Sequence, residues 1–479
     1  MSFTPYRNAF VAFIVSFISV SCTQSSQSNP GLFAVAFSGF GMSSPPTKPW
    51  PKFIGVSGTT TLGFAGNRDP FGSILATGYT DGNLDHQKLL GMEDSFITKY
   101  DEEGNKLWTR LLGGGPKSYV TGSTVGYFVA SDSEGNVFGT GITVANLDAQ
   151  SLNGYQDAYL VKYDPDGNKE WTRLIGGGSN TDFQHGTSSG RGIVSDALGN
   201  IYIAGTTNAD TFYGEANLGE NDYFLAKYDP NGNQVWVRMS RNSQPDHERF
   251  TGGLTIDSNS DLYLVGATDT DFDGQILVGI EDALIVKYDK DGNKLWSRLV
   301  GVSGQLSVAH DIGVDPDRNI YAIGSTSGEL DGQTPIGQTD MFIIKYDKDG
   351  NKLWTRLFGN PAFSSFFSSE TLGQGITVDS NGNSYIAGMV SGTKIFFTNA
   401  IQNSFIAKFD TNGNLIWSNL EYLQDSTKCL ANAQNPILGL NNAFFVTGYT
   451  LCNLDFVNPS LGVDSLFISK EELGTGIYP

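Results

Sequence analysis

Carboxylates, hydroxyls, imidazoles and thiols all occur in this chain at spacings that chemistry could use. Asp269-Thr270-Asp271-Phe272-Asp273-Gly274 begins like a calcium loop, with alternate carboxylates able to converge on a hard cation. Its twelfth position is Ile280 and Glu281 comes one residue late, so Asp269, Asp271 and Asp273 form a weak metal candidate, and no cofactor is expected. Gly186-Thr187-Ser188-Ser189-Gly190 matches G-x-S-x-G, a pattern that works as a nucleophile only on a strand-to-helix elbow. Here it is placed in a loop between β units and reads as chance. Glycine triplets such as Gly113–Gly115 are followed by no lysine and helix, so they are not phosphate loops. His86, His185, His247 and His310 are dispersed over four units and read as surface residues rather than a metal site. A catalytic carboxylate pair cannot be singled out among the many turn aspartates. No catalytic residue is assigned.

Cys22 offers different chemistry. It follows one basic residue, Arg7, an apolar run from Ala9 to Val20, and then Ser19-Val20-Ser21 directly before the thiol. That order fits a secretory signal over residues 1–21. The small residues before a single cysteine resemble a relaxed bacterial lipobox, which implies a lipidated Cys22 at the head of a polar tether over residues 22–49. Leu32–Gly41 is apolar within that tether and has no assigned role. No later stretch is long and apolar enough to span a membrane, so membrane contact is expected through the lipid alone.

Composition narrows the partners. The 479 residues include 59 glycines and only 17% charged residues, which suits an all-β chain rich in turns. The formal charge is −20, with 50 acidic against 30 basic residues, and no Lys/Arg cluster is present to grip phosphates. Nucleic acid is therefore excluded as a partner.

The elements that must position any site are repeated. DAYLVKYDPDGNKEWTRLIGGG, from Asp157 to Gly178, reads as strand, tight turn, strand and glycine stop, and it recurs five more times. In each copy the Asp opening the turn precedes a Trp by seven residues: Asp101/Trp108, Asp164/Trp171, Asp229/Trp236, Asp289/Trp296, Asp347/Trp354 and Asp410/Trp417. Between copies lies a short strand ending in Asp, a turn, and a strand ending in Gly-x-Thr, as in Gly192–Thr207. Each unit thus has four strands, A to D. Six complete units are followed by a seventh A-B-C set (Ile437–Leu440, Ala443–Thr450 and Asp464–Lys470), while a lone Trp strand, Trp50–Ile54, stands at the start. A ring whose last blade is completed by the first strand needs this offset. The expected fold is an all-β, seven-bladed β-propeller over residues 50–479.

Repeats of the form D-x-[FY]-[LI]-x-K-[YF]-D-x-x-G-N-x-x-W-x-R resemble the seven-bladed β-propeller (SBBP) repeat family. The resemblance covers Trp50 to Lys470, with Lys99, Lys162, Lys227, Lys287, Lys345, Lys408 and Lys470 filling one place in seven units. It implies a fold and an envelope setting, and no particular activity.

The repeated residues have structural tasks. Trp50, Trp108, Trp171, Trp236, Trp296, Trp354 and Trp417 are expected to pack between blades with the indole N–H on a partner. The seven lysines are expected to meet the Asp that ends strand A (Asp132, Asp196, Asp257, Asp315, Asp379), because an unpaired, part-buried ammonium is costly. Cys429 precedes the seventh strand A and Cys452 follows the seventh strand B, so antiparallel pairing predicts a disulfide.

Topology places A–B and C–D turns on one face of the ring and B–C and D–A loops on the other. The second face carries the longer loops, such as Asp81–Asp94 and Asn208–Asp222, and is where function is expected. The expectation is a monomeric, non-enzymatic outer-membrane lipoprotein of a bacterial envelope, binding a protein or glycan through that face. The alternative is a polysaccharide hydrolase or lyase with its site at the propeller axis.

Overall fold

The computed structural model describes residues 52–115, 122–178, 186–216, 221–240, 249–359, 367–394, 400–420, 431–440, 443–450 and 465–471. The chain divides into two units, Met1–Thr47 and Lys48–Pro479, and all described residues lie in the second. Cys22, Trp50, Cys429 and Cys452 fall outside the described residues, as do Leu32–Gly41, His185 and His247.

The fold is an all-β propeller of four-stranded antiparallel blades. Among the described residues, six blades are each built from four main strands taken in chain order. The first comprises Thr61–Arg68, Ile74–Thr80, Asp94–Tyr100 and Lys106–Leu112. A further four-stranded sheet is composite: Ala431–Leu438, Phe444–Thr450 and Ser465–Glu471 come from the end of the chain, and Lys52–Ile54 from its start. Lys52, Phe53 and Ile54 pair antiparallel with Ile468, Phe467 and Leu466. Each strand A packs against strand A of its neighbours, and Thr61–Arg68 touches both Thr124–Ser131 and Ala431–Leu438.

The core lies between sheets. Leu75, Ile97 and Trp108 of the first blade bury against Val129, Val137, Tyr159 and Val161 of the second. Both faces of the middle strands are covered, which is why Asp157–Tyr163 and its equivalents are buried along their length.

The repeated turns hold themselves. Asp164 accepts the backbone N–H of Asp166 and Asn168 on one carboxylate oxygen and the Asn168 amide on the other, at 3.0, 2.8 and 2.8 Å. The Asn168 amide thereby holds the Asp164 carboxyl below its ordinary range. The turn's glycine, Gly167, sits at φ +81°, where a side chain is strained.

Strand D of each blade grips the next blade's turn. Gly167 lies against the Trp108 ring, so closely that a Cβ there would meet it at 2.8 Å. The Trp108 indole N–H donates to the Pro165 carbonyl at 3.0 Å, and Arg110 Nε donates to the Gly167 carbonyl at 2.6 Å. The Arg110 guanidinium also lies over the Trp108 ring at 5.7 Å. The same Arg-to-glycine bond recurs at Arg173–Gly232, Arg238–Gly292, Arg298–Gly350 and Arg356–Gly413. The indole bond expected of every Trp also forms at Trp296 and Trp354. At Trp171 and Trp236 the buried N–H has no acceptor within hydrogen-bonding distance.

The lysines follow the expected pattern only in part. Lys99–Asp69 at 2.8 Å and Lys345–Asp315 at 3.6 Å join strand C to the A–B turn. Elsewhere Lys162 meets Glu170 and Lys287 meets Asp261. The turn aspartates are already occupied: the Asn136 amide donates to Asp132, and the Tyr202 and Tyr263 hydroxyls donate to Asp196 and Asp257. The ammonium groups also lie over aromatic rings, Lys227 over Tyr202, Lys345 over Tyr321, Lys408 over Tyr385 and Lys470 over Phe445, at 5.0, 4.6, 4.7 and 5.4 Å.

Candidate axial binding site

Strand A is longer than its apolar pattern suggests, because it carries a β-bulge. In the first blade Gly63 pairs with Gly78 and Ala65 with Thr77, leaving Phe64 opposite no partner. The same single-residue bulge falls at Tyr127, Arg191, His310, Gln374 and Gln434. In the fourth blade the irregularity runs from Phe250 to Leu254 and includes Gly252 at φ +124°. A bulge re-aims a side chain and is common beside binding sites.

The glycine of each Gly-x-Thr is what admits the bulge. A Cβ on Gly78 would stand 1.7 Å from the Leu62 carbonyl oxygen, and one on Gly141 1.9 Å from that of Val125. Strand A presses its backbone into strand B at that level, and only a residue without a side chain leaves room.

The bulge residues form a ring of mixed chemistry on the innermost strands. Phe64 meets the Tyr127 ring edge-on at 5.5 Å and stacks on Tyr79 at 5.9 Å. The Arg191 guanidinium lies over the other side of this cluster, 5.1 Å from the Tyr127 ring. Burial pushes the Tyr127 hydroxyl above its ordinary range, against the opposing pull of Arg191. His310 Nε2 is 3.0 Å from the Ser325 hydroxyl.

Toward the A–B turns the axis opens into a cavity of about 560 Å³. Every inner strand lines it, through Asn67, Val129, Ile193, Leu254, Ile312, Ile376 and Pro436 among others. Its accessible walls are mainly polar, with Arg68, Asp311 and Asp379 as the charged groups. Asp379 is consumed by its own turn, through Asn381, Asn383 and Tyr385. Asp311 accepts the Ile376 backbone N–H at 2.9 Å, bridging two inner strands. Burial pushes its carboxyl up to about 7, although backbone N–H groups of Ile376 and Ile312 pull the other way.

Several sequence expectations change place. Ser188–Gly190 belongs to strand A of the third blade, not to a loop, and the Ser188 hydroxyl is engaged with Thr207 at 3.0 Å. His310 is on the axial ring rather than the surface of the loop face. The Asp269–Asp273 segment is a structural cap: Asp273 pairs with Lys294, and Asp271 accepts the Leu277 backbone N–H at 2.8 Å. Asp85–Lys106, Asp148–Lys169 and Asp331–Lys352 repeat that pair in the other B–C loops. Among the described residues no group of three or more His, Cys, Asp or Glu is arranged to hold a metal. In the same loops Gln87, Gln150 and Gln333 donate to strand D carbonyls of Thr109, Thr172 and Thr355, each at 2.9 Å. These loops cover the outer sheet edges, where open pairing groups would otherwise invite another chain. Among the described residues these four B–C loops are thus alike, whereas the bulge position varies from blade to blade.

Sequence reasoning missed the ring because one inserted residue breaks the period-two alternation. A usable signal was present: a small residue followed by a non-repeating one, Gly63-Phe64, Gly126-Tyr127, Gly190-Arg191, Ala309-His310, Gly373-Gln374 and Ala433-Gln434, each just before an apolar strand.

Residues 170–213, 295–331 and 353–392 match the beta-propeller repeat family (SBBP). The chain is 23% identical over 469 residues to the WD repeat-containing protein L264 of Acanthamoeba polyphaga mimivirus, across 77% of this chain and 32% of that one. It is 28% identical over 247 residues to the regulatory protein FlaEY of Caulobacter vibrioides, across 46% of this chain and 24% of that one. The chain therefore spans under a third of the length of these curated relatives. A solved PL25 ulvan lyase superposes with a TM-score of 0.47 at 10% identity, covering 88% of this chain and 96% of its own. Each matched segment begins one residue before a Trp, at Trp171, Trp296 or Trp354, and runs on into the next blade's first strands. The chain is similar to that family over these three segments.

Proposed function

We propose that the protein is a non-enzymatic binding module of a bacterial envelope that holds a small ligand on its axial ring. In this reading the composite sheet completes a seven-bladed ring, and a lipid on Cys22 tethers the protein to the outer membrane. The observation that carries it is that one repeated position holds five residue types in six bulges. Trp, Lys, Arg, Asp and Asn recur from blade to blade, whereas the bulges hold Phe64, Tyr127, Arg191, His310, Gln374 and Gln434. Structural duty repeated in every blade keeps the residue constant; a ligand without that symmetry requires different groups around it.

The test is a glycan and small-molecule binding array on the full-length protein and on a Tyr127→Ala/His310→Ala/Gln374→Ala variant. Loss of the captured ligand by a variant that still unfolds cooperatively is expected. Retention of binding by the variant overturns the axial site and returns the loop face as the binding surface.

A second reading, a polysaccharide hydrolase or lyase acting at the axis, is favoured by Asp311. A carboxyl titrating near 7 beside a cavity can exchange protons at neutral pH. Turnover of a polysaccharide that is lost in Asp311→Asn establishes this reading.

A further inference from the structure

Five arginines of this protein sit on strand D, whereas Arg68 and Arg191 sit on strand A. Arg110, Arg173, Arg238, Arg298 and Arg356 each spend the guanidinium on carbonyl oxygens, as Arg356 does on Gly413, Thr355 and Asn412 at 3.0, 2.7 and 2.9 Å. Arg191 does not. Its guanidinium lies over the Tyr127 ring at 5.1 Å, with no carboxylate or carbonyl partner among the described residues. A half-buried cation with five free donors, in a chain of net charge −20, is an unmet demand for an anion.

The neighbours define the rest of the anion. Tyr127 lies under the guanidinium, and Phe64 meets Tyr127 edge-on at 5.5 Å, so the two rings form an apolar corner beside the charge. Gln374, Gln434 and His310 occupy the equivalent bulges on the other inner strands, and supply amide and imidazole groups. A ligand for this ring has one carboxylate, one flat face and several hydroxyls. One guanidinium neutralises one charge, and the chain's acidity repels a polyanion. A flat aromatic acid would leave the amides unpaired on desolvation, which is costly.

We propose that the axial ring binds a sugar acid, with the carboxylate on Arg191 and the pyranose face on Tyr127 and Phe64. This rests on the axial-site reading above and names its ligand class.

Calorimetric titration of the full-length protein with D-glucuronate, D-glucose and benzoate tests it, on the wild type, Arg191→Gln and Arg191→Lys. Glucuronate is expected to bind tightest, and Arg191→Gln to weaken it at least about tenfold, the loss of a charge-assisted pair. Arg191→Lys retains the charge without the fork, so it is expected to fall between the two. Circular dichroism melting checks that each variant is folded; should Arg191→Gln fail that check, the lysine variant carries the comparison. Absence of glucuronate binding, equal affinity in the substituted protein, or tighter binding of benzoate overturns the proposal. If the array ligand is neutral and is lost with the ring residues while glucuronate does not bind, the axial site stands and the sugar acid falls.

Discussion

The outer and inner strands of each blade solve opposite problems with the same scaffold. On strand D of the first five blades, Trp and Arg recur at fixed places and reach the same turn of the next blade, as Arg110 does at Gly167 and Arg356 at Gly413. On strand A, the bulge recurs at a fixed place but its residue changes from Phe64 to Tyr127 to Arg191. The backbone is conserved in both regions; the side chain is conserved only where it holds blades together. Repetition of geometry without repetition of residue therefore separates what a position does for the fold from what it does for a ligand.

The largest expected effect lies on the outer side. Trp108, 7% exposed, fills the joint between first and second blades, so Trp108→Ala is expected to destabilise by about 3–5 kcal/mol in urea unfolding while axial affinity is unchanged. A loss of affinity in the folded variant would break the division between the two regions.

Asp311 comes next, and its effect depends on pH. The ordinary value of 3.8 is raised to about 7, so the folded protein holds a proton that the unfolded chain releases. Stability is fully present below about pH 4 and declines as pH rises through 7. Asp311→Asn is expected to add about 1–2 kcal/mol at pH 8 and nothing at pH 4, measured by denaturant midpoint. A three-unit shift is worth roughly 4 kcal/mol in full, but this carboxyl faces an open cavity that screens it. Parallel pH profiles for variant and wild type would contradict the assignment.

The smallest stability effect is expected on the ring itself. Gln374→Ala is expected to move stability by less than about 0.5 kcal/mol while weakening the ligand by about 1 kcal/mol in the same titration that follows Arg191. A large stability loss would show that the bulge residue serves packing after all.

The outer hairpins were legible because their chemistry is local. Asp164, Gly167 and Asn168 make a turn whose hydrogen bonds span four residues, and the Trp seven places on marks the joint. The pairing of Lys52–Ile54 with Leu466–Ile468 was legible from counting strands. The lysine contacts were legible only in part: Lys345 meets Asp315 although Tyr321 also donates to it, whereas Lys162 takes Glu170 and Lys287 takes Asp261. The axial ring was hidden for a deeper reason. A bulge removes one residue from the alternation, and residues such as Arg191 and His310 then look like loop.

The joint after the sixth blade differs from the rest. Trp417 is followed two residues on by Asn419 rather than Arg, and the sheet it faces ends in Lys52–Ile54, a strand from the other chain terminus, so no hairpin tip joins that sheet's two outer strands there. Five guanidinium rivets thus run in one direction around the molecule and stop at the seam where its ends meet. Tension on the termini bears first on the three-residue ladder of the composite sheet.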